Sequence, residues 1–524
     1  MAGRLPPIRH NLLNSQHPAN KSQGLIPTAA YPFWIERLCL VCILATGTWL
    51  RFYQLGRDSL WLDEAGVAYA ARAESLGDML AVVRSHVLAM PLDYLIVWLV
   101  GRFSQTELSL RIPAALWGCL TLYLAYRFFR RFTDRSPALL GLLFLALLPL
   151  HIQYSQEVRF YASLVFFYLL TSLLLWDALQ QPTPRRWILY CFAGVSGVFF
   201  HPYVLFSLTN GLVWLFLARP VIWRDAKRRV YFLLTTCLIL LAFLGGYLTF
   251  SASNFFDIPL LAFEESLLRA IATGLGWLPF FAGNPGLDWI WGILFGAMQI
   301  YGAWTVIKAS PRSPLAGLVY SLVIQIAAVL GSDLLGKYFF APRQLLFLLP
   351  VLSLLAGIGL SAIITWAADH IQSTSHRFSQ GMLRNSLFTV ATLLIIFTSL
   401  PALKVYYEDE KGNSRAIAQA ILESWQPGDT ILITPGYEGF VYMYYIEYVY
   451  LRPEVSARLW TAGWDEIQQV EDWNGNIYII TPARLSVEED RLMDKLGFTP
   501  LFRSTFESRY ARVLWGRARP VMNQ

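Results

Sequence analysis

The sequence predicts an all-α protein that crosses a membrane many times, followed by a small C-terminal α/β domain. Hydrophobic residues make up 56% of the 524 residues and charged residues only 15%, whereas an average soluble domain has roughly 25% charged residues. Apolar runs of about 20 residues, the length that spans a bilayer, recur as far as residue 404. From residue 405 onward the composition is that of a soluble domain.

About eleven segments are long and apolar enough to span a membrane, and they are centred near residues 44, 121, 146, 168, 193, 211, 240, 297, 324, 355 and 394. Basic residues cluster in alternate loops, for example Arg130–Arg131, Arg185–Arg186 and Lys227–Arg229. By the positive-inside rule, residues 1–34 are then cytoplasmic. Residues 35–404 form the membrane domain, with an extracytoplasmic loop at 52–111, and residues 405–524 form an extracytoplasmic domain.

The predicted C-terminal domain alternates helical and strand patterns. A helix is predicted over 413–425 and a second over 486–496, and β-strands over 430–434 and 477–481. In the outside loop, the stretch 65–87 is moderately amphipathic.

Charge and cysteine patterns exclude two classes of function. The net charge is +7, but Lys and Arg lie in short loops between apolar runs and form no single basic face, so we predict no nucleic-acid partner. The five cysteines all lie inside apolar runs without metal-site spacing. We therefore predict neither a disulfide framework nor a zinc site.

Two adjacent carboxylates, Asp63 and Glu64, follow the first predicted span. One interpretation is that Asp63 caps the next helix from its N-terminus. The other is a general base at the water boundary, where partial desolvation raises the pKa of a carboxyl and its basicity. Both interpretations stay open at this point.

The turn 154–161 lies between two long apolar helices and carries Glu157 and Arg159. Charged groups at membrane depth are costly and usually face a partner or a cavity. A local interaction between the two at a helix end is one explanation. Because the topology puts this turn on the same side as Asp63, we expect both segments to contribute to one cleft.

Four further residues are predicted to bind substrate or phosphate: His86, His201, Lys337 and Arg343. His201 precedes a proline that starts a helix, which is also ordinary punctuation, and a lone histidine is often structural. Lys337 and Arg343 flank an outside helix boundary. Snorkelling of long cationic side chains to the interface explains this pair, and so does the binding of a phosphate group.

Taken together, four motifs resemble those of family-39-type glycosyltransferases of the GT-C superfamily, the relatives of protein O-mannosyltransferases and the lipid A aminoarabinose transferase. The motifs are Trp61–Glu64, His86 with Pro91–Leu95, Glu107 with Arg111–Leu116, and Tyr154–Tyr161. The resemblance covers roughly residues 35 to 250, and the later helices by topology alone. The tail also resembles those of bacterial members, so we expect a multi-pass protein of the bacterial inner (plasma) membrane.

The resemblance implies a GT-C membrane fold with extracytoplasmic juxtamembrane helices and a dolichyl- or undecaprenyl-phosphate sugar donor. It makes Asp63 the catalytic acidic residue, with Glu64 beside it, and places Glu157, Arg159 and Tyr161 in the second motif. Family members commonly work without a catalytic metal, whereas distant GT-C enzymes hold a divalent ion between acidic residues. A divalent ion between Asp63 and Glu157 therefore stays open.

The sequence thus predicts a glycosyltransferase that moves a sugar from a polyprenyl-phosphate donor to an extracytoplasmic glycan, lipid or protein, with inversion. Asp63 would act as the base, while Arg159, Lys337 or Arg343 would stabilise the departing phosphate. A lipid-linked sugar transporter or flippase is the main alternative, and a non-catalytic membrane subunit is the second. A transporter favours charges in mid-helix and paired repeats, whereas the charges here gather at one membrane face.

Overall fold

The computed structural model describes residues 33–86, 89–217, 225–250, 267–278, 285–336, 340–374, 379–408, 412–434, 438–461, 463–467, 476–482, 485–503 and 512–517. Up to residue 408 the described chain is helical, and its helices are α1 (Phe33–Phe52), α2 (Leu62–Arg72), α3 (Leu76–Ser85), α4 (Pro91–Gly101), α5 (Glu107–Phe132), α6 (Arg135–Leu147), α7 (Pro149–Tyr154), α8 (Tyr161–Gln180), α9 (Pro184–Phe200), α10 (Phe206–Leu217), α11 (Ala226–Phe250), α12 (Leu267–Gly274), α13 (Pro285–Ala309), α14 (Pro314–Gly336), α15 (Leu349–Thr374) and α16 (Gln380–Glu408). Two 3-10 helices, Pro202–Leu205 and Pro342–Leu348, precede α10 and α15.

Eight of the described helical segments are long and apolar enough to cross a membrane, which confirms a multi-span membrane protein. A helix lies at each of the eleven predicted centres, but α6, α9 and α10 have only 13, 17 and 12 residues. Helix α6 is short because Pro149 begins a separate helix directly after Leu148, and proline supplies no amide hydrogen to continue the ladder.

Helix α15 lies at the centre of the bundle, packed against α6 and α13. Glycines permit the close approach of these backbones. A Cβ at Gly359 would collide with the Met298 carbonyl of α13, and one at Gly141 would lie 3.0 Å from Cα of Leu354. Small residues at such crossings are the usual device of membrane helix pairs.

The predicted outside loop folds as the three short helices α2, α3 and α4. The amphipathic stretch is divided because Ser75 caps α3: its hydroxyl accepts from the Asp78 amide, and the Asp78 carboxylate accepts from the Ser75 amide at 3.1 Å. This reciprocal pair is a capping box. It starts a new helix axis just after α2 ends at Arg72.

The C-terminal part contains a small five-stranded mixed sheet, as the sequence led us to expect of an α/β domain. Its described elements are α17 (Ser414–Ser424), β1 (Thr430–Ile433), α18 (Gly439–Met443), a π-helix (Tyr444–Val449), α19 (Pro453–Ser456), β2 (Leu459–Thr461), α20 (Trp464–Ile467), β3 (Ile477–Pro482), α21 (Val487–Lys495), β4 (Thr499–Arg503) and β5 (Arg512–Arg517). The strand order is β2-β1-β3-β5-β4, with β2, β1 and β3 parallel and β5 and β4 antiparallel.

The C-terminal domain shares one hydrophobic core with the loop helices. One face of its sheet, including Ile431 and Ile480, belongs to the same buried cluster as Val67 of α2 and Tyr94 of α4. Strand alternation sends the neighbouring residues to the opposite face, where Ile479 packs in a separate cluster. The domain therefore lies directly on the loop that carries Asp63.

Candidate active site

Helix α2 presents Asp63 and Glu64 from its first turn. The N-cap is Trp61, in an extended backbone conformation, and its amide donates to Oε2 of Glu64 at 3.4 Å. Acidic groups in a first turn also interact favourably with the helix dipole. The capping contact that the sequence led us to expect of Asp63 is made by its neighbour Glu64.

Glu64 forms a buried, two-pronged ion pair with Arg111 of α5. Arg111 donates from Nε to Oε1 at 2.8 Å and from Nη2 to Oε2 at 2.7 Å, and the two residues are 0% and 2% exposed. The Val158 amide also donates to Oε1 of Glu64, at 2.9 Å. The guanidinium of Arg111 further donates to the carbonyls of Leu55, Asp58 and Ser59. This carboxylate therefore ties α2, α5 and the turn after α7 together.

Asp63 faces two cations that come from distant parts of the chain. Its Oδ2 lies 3.7 Å from Nη2 of Arg159 and 3.7 Å from Nη1 of Arg343. The Asp63 side chain is 24% exposed, the most accessible of the three. Arg159 also donates to the Asp63 carbonyl at 3.3 Å. Three predicted site residues thus meet at one point, which water can reach.

Aromatic rings hold the two guanidinium groups in place. The Arg159 guanidinium lies 4.6 Å from the Phe160 ring centre and 5.7 Å from the Tyr161 ring centre. The Arg343 guanidinium lies 6.0 Å from the Tyr161 ring centre. Such cation–π contacts favour the charged form. Burial alone would lower the pKa of Arg159, but the Asp63 charge raises it above its ordinary value. Arg159 therefore remains charged at any physiological pH.

His86 and His201 both lie beside this cluster and are kept neutral. Burial, reinforced by the charge of Arg159, lowers the pKa of His201 to about 3. Its Nδ1 accepts from the Tyr203 amide at 3.0 Å, which assigns the proton of the neutral ring to Nε2. Burial also lowers the pKa of His86, whose Nδ1 lies 2.8 Å from the Val82 carbonyl. That contact assigns the proton of His86 to Nδ1.

Glu157 occupies a different environment from Asp63. It is 1% exposed, Gln153 donates to its Oε1 at 2.9 Å, and Tyr406 of α16 lies within reach of its charge. Of the two charged residues in this motif, Arg159 is the one that the structure places against Asp63. Lys337 lies outside the described residues.

The chemistry around Asp63 does not suit a divalent cation. Its neighbours are two guanidinium groups, which repel a metal ion, and Glu157 is engaged by Gln153. Among the residues that the structure describes, no three His, Cys, Asp or Glu side chains form a cluster that could hold a metal. We therefore derive no step through a metal ion.

Arg111 and Arg51, the last basic residue of α1, have structural roles that the sequence does not indicate. Arg51 is fully buried and lies 2.7 Å from Nδ1 of His151 and from the Gly47 carbonyl. Arg51 lies in the last turn of α1 and Arg111 near the start of α5, where snorkelling of a long cationic side chain to water is the usual expectation. Their side-chain partners, Glu64 for Arg111 and His151 for Arg51, lie 47 and 100 residues away in sequence and leave no local signal.

Residues 89–245 match the family model described as dolichyl-phosphate-mannose-protein mannosyltransferase. The match spans α4, Arg111, the turn with Glu157 and Arg159, and His201. The chain is a membrane glycosyltransferase that is similar to this family over that segment. No curated protein sequence matches the chain.

Two solved structures share the fold of this glycosyltransferase over about nine tenths of its length. ArnT from Cupriavidus metallidurans, bound to undecaprenyl phosphate, matches with a TM-score of 0.54 and 13% identity over 92% of this chain and 98% of that one. The archaeal oligosaccharyltransferase AglB from Archaeoglobus fulgidus, in complex with an inhibitory peptide and a dolichol-phosphate, matches with a TM-score of 0.53 and 12% identity. That match covers 88% of this chain and 71% of AglB.

Proposed function

We propose that this glycosyltransferase moves a sugar from a polyprenyl-phosphate donor to a hydroxyl group of a glycan, lipid or protein. The observation that carries the proposal is the meeting of Asp63 with Arg159 and Arg343. The family description supports a polyprenyl-phosphate-linked sugar as donor. Undecaprenyl phosphate in ArnT and dolichol-phosphate in AglB, two proteins of the same fold, support it further.

Asp63 is the general base in this proposal. Its carboxylate takes the proton of the acceptor hydroxyl as the acceptor oxygen bonds to the anomeric carbon. The bond from that carbon to the phosphate oxygen breaks, and its electron pair leaves with the polyprenyl phosphate. Attack from the side opposite the leaving group inverts the anomeric centre. General base catalysis of this kind contributes about 10²- to 10⁴-fold in rate.

Arg159 and Arg343 stabilise the departing phosphate in this proposal. Their 3.7 Å distances to Asp63 exceed the roughly 2.7–2.9 Å of a direct charge-assisted hydrogen bond. A phosphate between the two arginines would become their nearer counter-ion. Their contacts with Asp63 would then loosen, which leaves its carboxylate free to contact the acceptor hydroxyl.

The other predicted site residues take supporting roles in the proposal. Glu64 positions α2 through Arg111 and does not react. Tyr161 supports both guanidinium groups, and neutral His201 and His86 line the cleft. Lys337 is proposed as a further contact of the phosphate, and Glu157 as a second acidic residue of the site.

We further propose that the site faces the extracytoplasmic side of the bacterial inner membrane. The alternation of basic loops supports eleven crossings with the N-terminal segment inside. The short length of α6 is compatible with this count, because α6 is buried among other helices and need not face lipid along its whole length. With eleven crossings, the loop helices and the C-terminal domain lie on one side, in agreement with their shared core.

The test is sugar transfer by the purified full chain in detergent, with radiolabelled sugars on undecaprenyl phosphate and membrane extract as acceptor. Asp63→Asn keeps the shape of the side chain but removes its basicity. We expect its turnover to fall about 10²- to 10⁴-fold, with thermal stability retained. Asp490→Asn, at an exposed position of α21, is the matched control and should transfer at the wild-type rate.

Wild-type turnover by Asp63→Asn would refute its role as the base. Movement of a lipid-linked sugar across proteoliposome membranes, without transfer to any acceptor, would instead support the flippase alternative.

A further inference from the structure

The first turn of α4 buries two polar side chains beside the cluster of Asp63. Asp93 is 5% exposed and Tyr94 is fully buried. Within the part of the chain that the structure describes, neither Oδ2 of Asp93 nor the hydroxyl of Tyr94 has a hydrogen-bond partner. Buried polar atoms without a partner are rare in folded proteins, and each calls for an explanation.

Neither side chain has an evident structural task. An acidic residue in a first turn often caps its helix, but the N-cap of α4 is Met90 and no side-chain cap hydrogen bond is present. The rest of α4 is apolar, with Leu92, Ile96 and Val97 among its residues. Leucine and phenylalanine would fill the same space without the cost of burying polar atoms.

Both groups lie within electrostatic reach of Arg159, the residue that contacts Asp63. The Arg159 charge acts on Asp93 and on Tyr94, and Tyr94 also interacts with Asp63 and Tyr161. Burial raises the pKa of Asp93 to about 7, against the opposing effect of Arg159. Both side chains therefore lie near Arg159, and we take them as part of the wall of the cleft at Asp63.

The chemistry of this wall narrows the class of ligand. A carboxylate repels a phosphate group, an apolar lipid chain leaves both polar atoms unsatisfied, and Arg159 repels a metal cation. A sugar hydroxyl satisfies both atoms, because it can donate to Asp93 while it accepts from Tyr94. We propose that Asp93 and Tyr94 bind hydroxyl groups of the transferred sugar and so select it, an inference that rests on the proposed glycosyltransferase reaction.

The experiment measures kcat/KM for undecaprenyl-phosphate-linked glucose, mannose and galactose. Mannose and galactose each differ from glucose in the configuration of a single hydroxyl. It compares the wild type with Asp93→Asn and Tyr94→Phe, both close in shape to the original side chains. A site built to bind a hydroxyl discriminates strongly because its buried polar groups are otherwise left unpaired. We expect each variant to lose at least about tenfold in kcat/KM for the preferred sugar, and the preference over its epimers to narrow.

Sugar-free undecaprenyl phosphate, used as an inhibitor, separates sugar binding from phosphate binding. Its inhibition constant should be unchanged in both variants. Tyr190→Phe is the matched control, since Tyr190 is equally buried but packs against Trp187 of α9, and it should keep the wild-type sugar preference.

Folded variants with an unchanged sugar preference would overturn this inference alone, as would a parallel loss of undecaprenyl phosphate affinity. No transfer by the wild type from any of the three donors, nor from a wider panel of sugars, would overturn the proposed function and this inference with it.

Discussion

The ion pair between Glu64 and Arg111 allows a structural role for a carboxylate to be separated from a catalytic one. In Glu64→Gln the amide keeps the shape of the side chain, and its oxygen can still accept from Arg111 or from Val158. Its NH₂ group, however, replaces an acceptor that faces the Nη2 donor of Arg111 at 2.7 Å. The substitution therefore removes the charge and sets two donors against each other.

The expected cost follows from what remains around Arg111. The guanidinium stays 2% exposed with only neutral carbonyl acceptors, at Leu55, Asp58 and Ser59. Removal of one member of a buried ion pair costs about 3–5 kcal/mol, because the other charge stays buried. We expect Glu64→Gln to destabilise the protein by about this amount.

The assay is thermal unfolding in detergent, followed by tryptophan fluorescence. The double variant Glu64→Gln/Arg111→Met removes both charges and should recover part of the lost stability. Glu408→Gln is the matched control. Glu408 is 64% exposed and lies 3.8 Å from Lys404, and such surface pairs contribute about 0–1 kcal/mol. A Glu64→Gln protein that unfolds like the wild type but has lost turnover would refute the structural assignment and give Glu64 a direct part in the reaction.

Two further predictions concern the same cleft. A Cβ at Gly118 would lie 2.6 Å from Cβ of Ser155, so Gly118→Ala should displace the turn that carries Arg159 and lower kcat at least about tenfold. The control is Gly245→Ala, whose added Cβ would have nothing within 4 Å and should leave kcat unchanged. Equal kcat values for the two variants would contradict the role of close packing at Gly118. Burial raises the pKa of Asp93 to about 7, so the folded state prefers the protonated carboxyl. The wild type should therefore lose stability relative to Asp93→Asn as the pH rises from about 4 to 7. The loss should reach up to about 4 kcal/mol, at about 1.4 kcal/mol per pH unit. Unfolding temperatures of the two proteins that run parallel across this range would contradict the buried, unpaired position of Asp93.

Much of the bundle could be predicted because membrane helices are encoded locally. Each apolar run supplies its own backbone hydrogen bonds, so its position shows in the sequence alone. The division of the loop helices at Ser75 also has a local signal, the Ser75–Asp78 capping box. Strands β2, β4 and β5 were not predicted. β2 has only three residues and β4 contains Pro500, and strand pairing depends on residues far away in sequence.

The candidate site could also be predicted only in part, because some of its contacts have no local signal in the sequence. The choice between Asp63 and Glu64 is not a local matter, since adjacent helix positions differ by about 100° in direction and both suit a first turn. Arg111 decides which of the two is buried, and it lies 47 residues further along the chain. The convergence expected from the shared side of the membrane holds for Arg159 and Arg343, whereas the neighbours of Glu157 include Gln153 and Tyr406.

The C-terminal domain has a physical connection to the proposed base that its position in the sequence does not suggest. The hydroxyl of Tyr445 accepts from the Leu60 amide at 2.6 Å, three residues before Asp63, and lies 3.1 Å from Oε1 of Glu107. Arg415 pairs with the same Glu107 oxygen at 2.9 Å. The segment that leads into α2 is therefore held by the tail domain, while α2 itself is held by Arg111 from the membrane bundle. Asp63 lies where these two restraints meet, so the tail domain contributes to the geometry of the base without supplying a reacting group.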